Sequence, residues 1–120
     1  MALPPLVIKA REVNRIIVFD IEGEMRRHDT PQVTLSSLVQ GELDRGRRNI
    51  VFNLAGVGFI DSFGVGEILA SFKSIQDLGG KLKLCRISDR LLLIFKITML
   101  DKVLDILEDC DRALDSFDSA

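Results

Sequence analysis

The run from Asn49 to Ile87 constrains the fold more than any other part of the chain. Asn49-Ile50-Val51-Phe52-Asn53-Leu54 is short and mostly apolar, as suits a strand in a sheet interior. A glycine-containing loop, Ala55-Gly56-Val57-Gly58, is expected to follow, and then the turn Phe59-Ile60-Asp61-Ser62-Phe63-Gly64. Val65, Ile68, Leu69, Phe72 and Ile75 make a helical stripe, with Glu67, Ser71, Lys73, Ser74 and Asp77 expected on a polar, exposed face. Gly79-Gly80 closes that helix, and Lys81 to Ile87 alternates as a strand with Leu82 and Leu84 inward. Strand, helix and strand in close succession imply a parallel crossover, so the chain must lay helices on a sheet.

The flanking segments extend the pattern. Leu6–Arg11 and Arg15–Glu22 read as an antiparallel hairpin turning through Val13-Asn14, with Ile17, Phe19 and Ile21 on one face. Gly23 is expected to end the second strand, leaving Glu24 to His28 as a polar link. Thr30-Pro31 carries a hydroxyl cap and a first-turn proline, and Leu35, Leu38, Val39 and Leu43 then share one helical face up to a stop at Gly46. Ser88-Asp89 caps a short helix through Phe95, and a strand is expected around Val103–Leu107. Cys110, Ala113, Leu114 and Phe117 mark a terminal helix. The expectation is one α/β domain over residues 1–120, with a mixed sheet of four to five strands, an N-terminal antiparallel hairpin and about four helices. Met1 to Pro5 reads as a short ordered lead-in, and 120 residues suffice for one core.

Charge and composition narrow the function. A net charge of −2 disfavours direct binding to nucleic acid. No apolar run approaches the roughly 20 residues that span a bilayer, and no leader pattern is present, so a cytoplasmic protein without a membrane span is expected. Cys85 and Cys110 lie far apart outside any CxxC unit and are expected to be buried free thiols. His28 is the single histidine, too little for a zinc site or a convincing Ser–His–acid triad. Gly64-Val65-Gly66 lacks both the third glycine and the lysine of a phosphate-binding loop. No metal, cofactor or enzymatic activity is therefore expected. The acidic residues after Leu100, and Arg45, Arg47 and Arg48, read as solvated faces.

Asp61 and Ser62 admit two readings. Either side chain can cap the helix by accepting from a first-turn N–H. Alternatively, a hydroxyl exposed at a helix start is a good phosphate acceptor, because the dipole and open N–H groups favour an anion there. The segment Phe59–Gly66, together with Leu78-Gly79-Gly80-Lys81-Leu82-Lys83-Leu84-Cys85, resembles the STAS domains of bacterial anti-sigma-factor antagonists, over about Leu6 to Phe117. The resemblance implies that Ser62 is a phosphorylation site. The unmodified protein would bind an anti-sigma factor with serine kinase activity and so free a sigma factor. Phosphorylation would end binding, and a serine phosphatase would restore it.

The same resemblance puts Asp61, Phe63, Gly64, Glu67, Ser71, Arg26 and Gly58 at the partner-binding surface. Phe63 stands where relatives often carry a second Ser or Thr, and Arg26 stands where an acid is common. These departures keep a second function open, a non-catalytic STAS scaffold or accessory subunit of a stress-sensing or lipid-transport complex. Leu91 to Phe95 leave their short helix apolar almost all round, so extra core, a partner contact and a homodimer surface all stay open.

Overall fold

The computed structural model describes residues 6–27 and 34–117. Elements run in the order β1 (Val7–Val13), β2 (Ile16–Met25), α1 (Leu35–Asp44), β3 (Asn49–Ile60), α2 (Ser62–Asp77), β4 (Lys81–Cys85), α3 (Asp89–Ile97), β5 (Asp105–Leu107) and α4 (Cys110–Ser116). A single 3-10 turn, Leu100–Lys102, precedes β5. The five strands form one sheet in sequence order; β1 and β2 are antiparallel, and every later pairing is parallel.

The hairpin closes through two residues, Asn14 and Arg15, both with positive φ (51° and 69°) between the paired residues Val13 and Ile16. Left-handed conformations at both turn positions match the twist of the flanking strands. Each parallel crossover then steps one strand along, which places α1, α2 and α3 on the same face. Leu35, Val39 and Leu43 from α1, Ile68 and Ile75 from α2, and Leu91 and Phe95 from α3 accordingly join one core. They pack there with Ile17, Phe19, Ile21, Ile50, Phe52, Leu54, Leu82 and Leu84. Phe19 and Phe52 meet edge to face at its centre, 6.0 Å apart.

The opposite face is smaller. Ile16, Val18, Val51 and Cys85 are covered by Ala113 of α4, with Leu114 and Phe117 partly buried beside them. Lys83 also points to this side, its Nζ 2.7 Å from Asp105 Oδ2 and 5.0 Å from the Phe117 ring centre. Both faces are therefore covered over Ile16–Phe19 of β2 and Ile50–Phe52 of β3, which is why these stretches are apolar at every position.

Four expectations need correction here. Gly23 does not end β2, and Ala55–Gly58 is not a loop. Both strands run on, pairing Glu22 with Gly56, Gly23 with Val57, Glu24 with Phe59 and Met25 with Ile60 across two register shifts. Gly23 supplies a φ of 103° at the irregularity, and a Cβ on Gly56 would lie 2.6 Å from Glu22 Cγ. These glycines make bulges rather than ends.

Cys85 and Cys110 are not free thiols but form a disulfide, with Cα atoms 5.2 Å apart. Cys85 pairs with Leu107 across the sheet, so Cys110, three residues on, lands within reach. Arg47 and Arg48 are more than solvated charge. Arg47 pairs with Glu12, and Arg48 donates to the carbonyls of Leu43 and Arg47 at the end of α1. Helix α1 starts at Leu35, capped by Thr34, which exchanges hydrogen bonds with Ser37. Thr30-Pro31, His28 and Met1–Pro5 lie outside the described residues.

Candidate functional site

The end of β2, the end of β3 and the first turn of α2 converge on Asp61 and Ser62. Asp61 has the extended backbone of an N-cap, φ −105° and ψ −174°. Its Oδ1 accepts from the Gly64 N–H at 2.9 Å, and its Oδ2 accepts from the Arg27 N–H at 3.1 Å. Its own N–H donates to the Met25 carbonyl at 3.0 Å. One aspartate thus caps α2 and ties it to the residues leaving β2. Burial alone would raise the Asp61 carboxyl, but N–H donation from Gly64, Arg27 and Phe63 outweighs it and holds the group below the usual carboxylate range.

Ser62 is the first helical residue and is exposed. Since Asp61 supplies the cap, the Ser62 hydroxyl is not needed for that task. Near it in the chain are two exposed rings, Phe59 and Phe63, at 45% and 38% exposure. The Arg27 guanidinium sits 5.9 Å from the Phe63 ring centre, within cation–π range. Arg26 is turned to Glu24, 3.3 Å away. Gly58 is exposed, and a Cβ there would meet nothing within 4 Å. Asp61, Ser62, Phe63, Arg26 and Gly58 therefore lie on, or at the edge of, the surface where the helix leaves the sheet.

Two other expected contact residues are placed differently. Gly64 is buried. A Cβ there would run into the Met25 carbonyl and come within 2.8 Å of Met25 Cβ, so this glycine lets α2 approach β2 closely. Ser71 is also buried rather than exposed, and its Oγ donates to the Glu67 carbonyl at 2.8 Å. Both belong to the inner stripe Gly64, Ile68, Ser71, Ile75, spaced by four, three and four residues. That spacing was the available signal, and polarity hid it.

Glu67 is half-buried and engaged. Its carboxylate accepts from the Ser36 N–H at 3.2 Å and from Ser36 Oγ at 3.0 Å, joining α2 to the first turn of α1. No pattern in the sequence announces this link, because it depends on how two helices lie side by side. The short helix α3 splits between the readings left open for it, with Leu91 and Phe95 in the core and Leu93 and Ile97 exposed. Among the described residues, no group of three or more His, Cys, Asp or Glu could hold a metal ion, and no helix is long and apolar enough to cross a membrane.

Comparison with known proteins agrees with this architecture. The anti-sigma-B factor antagonist of Listeria monocytogenes is 32% identical over 101 residues, 82% of this chain and 84% of the relative. The anti-sigma factor antagonist SpoIIAA in its unphosphorylated form superposes with a TM-score of 0.73 at 20% identity, covering 95% of this chain and all of the other. The phosphorylated form of SpoIIAA, a cell-fate determinant of Bacillus, gives 0.72 at 21% identity, covering 92% and 99%. The family model described as the STAS domain matches residues 7–113, from the first strand to the last helix, and the chain belongs to that family.

Proposed function

We propose that this protein is an anti-sigma-factor antagonist whose binding is switched at Ser62. The observation that carries the reading is the division of labour at the helix start. Asp61 performs the structural capping, and the next residue offers a hydroxyl to solvent with no structural duty of its own. The relatives named as anti-sigma-factor antagonists support the partner class, and SpoIIAA is named in both an unphosphorylated and a phosphorylated form.

In this reading the unmodified surface around Ser62 docks an anti-sigma factor that is also an ATP-dependent serine kinase. The kinase moves the γ-phosphoryl group of ATP to Ser62 Oγ; the hydroxyl proton is lost and ADP leaves. The added charge, about −1.5 to −2 at neutral pH, faces the partner across a dehydrating interface. Like-charge contact and desolvation there cost several kcal/mol, and each 1.4 kcal/mol lowers affinity tenfold. The fold tolerates the phosphate, since the start of a 16-residue helix favours an anion. A serine phosphatase resets the protein, which acts as substrate and binder rather than as catalyst.

The test is recovery of the tagged protein from its own cells, mass analysis of the peptide bearing Ser62, and identification of what co-purifies. Ser62→Ala should retain the fold and bind the partner constitutively, and Ser62→Asp should bind it at least tenfold more weakly. Equal affinity of Ser62→Asp and wild type for the co-purifying partner, with no phosphate found at Ser62, would overturn the proposal.

A further inference from the structure

The Cys85–Cys110 disulfide has no part in the site around Ser62, and its placement is unusual in three respects. First, it joins the end of β4 to the first residue of α4, linking cysteines 25 positions apart across a segment that contains α3 and β5. Second, α4 is weakly held by everything else. It has seven residues, too few to persist as an isolated helix, and Ala113 is its one fully buried residue. Leu114 and Phe117 are only partly buried. Third, the two cysteines differ in burial, since Cys85 is fully buried and Cys110 is only partly buried.

The core is divided as well. The large cluster beneath α1, α2 and α3 contains no residue of α4, whereas the small cluster on the other face depends on it. Loss of α4 would therefore bare Ile16, Val18 and Val51 while leaving the packing around Phe19, Phe52 and Ile68 in place. Local opening of one cooperative unit, with the rest intact, is what such a partition allows.

We infer that Cys85 and Cys110 form a reversible two-electron redox site, whose reduction by a protein dithiol of the thioredoxin class releases α4 from the sheet. A thiolate of the reductant attacks Sγ of Cys110, the less buried of the two cysteines. The Cys85–Cys110 bond breaks, its electron pair leaves on Cys85 Sγ, and that sulfur takes a proton. The second thiol of the reductant loses its proton and attacks the reductant's own sulfur in the mixed disulfide. Cys110 leaves as a thiolate and is protonated. Two electrons and two protons have passed to the chain, and the reductant has become a disulfide. A disulfide with one partly exposed cysteine that holds a marginal element suits a switch better than a staple deep in a core.

The inference does not depend on Ser62, and its test needs no partner protein. The full chain, oxidised in air, is compared with the same chain reduced by dithiothreitol, using iodoacetamide labelling and hydrogen exchange read by mass spectrometry. The oxidised chain should take up no label, and the reduced chain two labels, with Cys110 reacting at least tenfold faster than Cys85. Amides of residues 110–117 should exchange at least tenfold faster after reduction, and those of residues 62–77 should be unchanged. Cys110→Ala should reproduce the reduced pattern without reductant, and reoxidation of the wild type should restore protection. Free thiols in the oxidised chain, unchanged protection of residues 110–117, or equal loss of protection throughout the chain would each refute the inference.

Discussion

Removing the Asp61 carboxylate tests the local architecture of the site most directly. Asp61→Ala deletes the acceptor for the Gly64 N–H and the acceptor for the Arg27 N–H in one step. Loss of an N-cap acceptor costs about 1 kcal/mol. The second bond is exposed, so water replaces much of it, and its loss adds roughly 0.5–1 kcal/mol. The sum is about 1.5–2 kcal/mol at neutral pH. An unfolding entropy near 2.1 cal/mol/K per residue, over this chain, converts that to a fall of about 6–8 °C in Tm. The dependence on pH has a definite sign. The folded Asp61 carboxyl titrates below its ordinary range, so its contribution is complete above the unfolded pKa, about 3.9. That contribution fades as pH falls through the lower, folded value. The gap between wild type and Asp61→Ala should be flat from pH 5 to 8 and narrow below pH 4, where the protonated carboxyl keeps one acceptor oxygen. Asp61→Asn keeps one acceptor oxygen, so it should recover about half of the loss and respond less to acid. Urea titrations at a series of pH values measure all three. A gap under about 0.5 kcal/mol at pH 7, or one as large at pH 3 as at pH 7, would refute the assignment of Asp61 as cap and clamp.

Two further substitutions probe the inner face of α2. Gly64→Ala should gain up to about 1 kcal/mol of helix propensity but lose more to overpacking against the Met25 backbone, leaving a net destabilisation of roughly 1–3 kcal/mol. A raised Tm for that variant would show that the close approach is absent. Ser71→Asp would bury an unpaired charge in a fully enclosed site and should cost upwards of about 3 kcal/mol, whereas Ser71→Ala should cost about 1 or less. Circular dichroism melts suffice, and a Ser71→Asp variant as stable as wild type would return Ser71 to the surface.

The candidate site was legible where it depends on neighbours in the chain. Asp61 and Ser62 stand between an apolar strand and an amphipathic helix, so an N-terminal capping position could be read directly. The resemblance to STAS domains rests on the segment Phe59–Gly66 that contains them, together with Leu78–Cys85. What escaped were contacts between segments. Arg27 reaches Asp61 only because β2 continues past Gly23, and Ser36 meets Glu67 only because α1 lies beside α2. The resemblance put Gly64 at the partner surface and polarity put Ser71 on the exposed face, although their spacing with Ile68 and Ile75 turns both inward.

Local periodicity settled the kind and order of the elements, because burial of a stripe or an alternating face is written at intervals of two to four residues. A sheet of four to five strands, about four helices and the opening hairpin follow from it, and the described residues hold five strands and four α-helices. Register across the sheet is a different matter, since it joins residues tens of positions apart and is governed by packing that no short window contains. It carried β2 and β3 through their glycines as bulges and set Cys85 opposite Leu107. Two distant cysteines, unremarkable in the chain, thereby became the bond that pins α4.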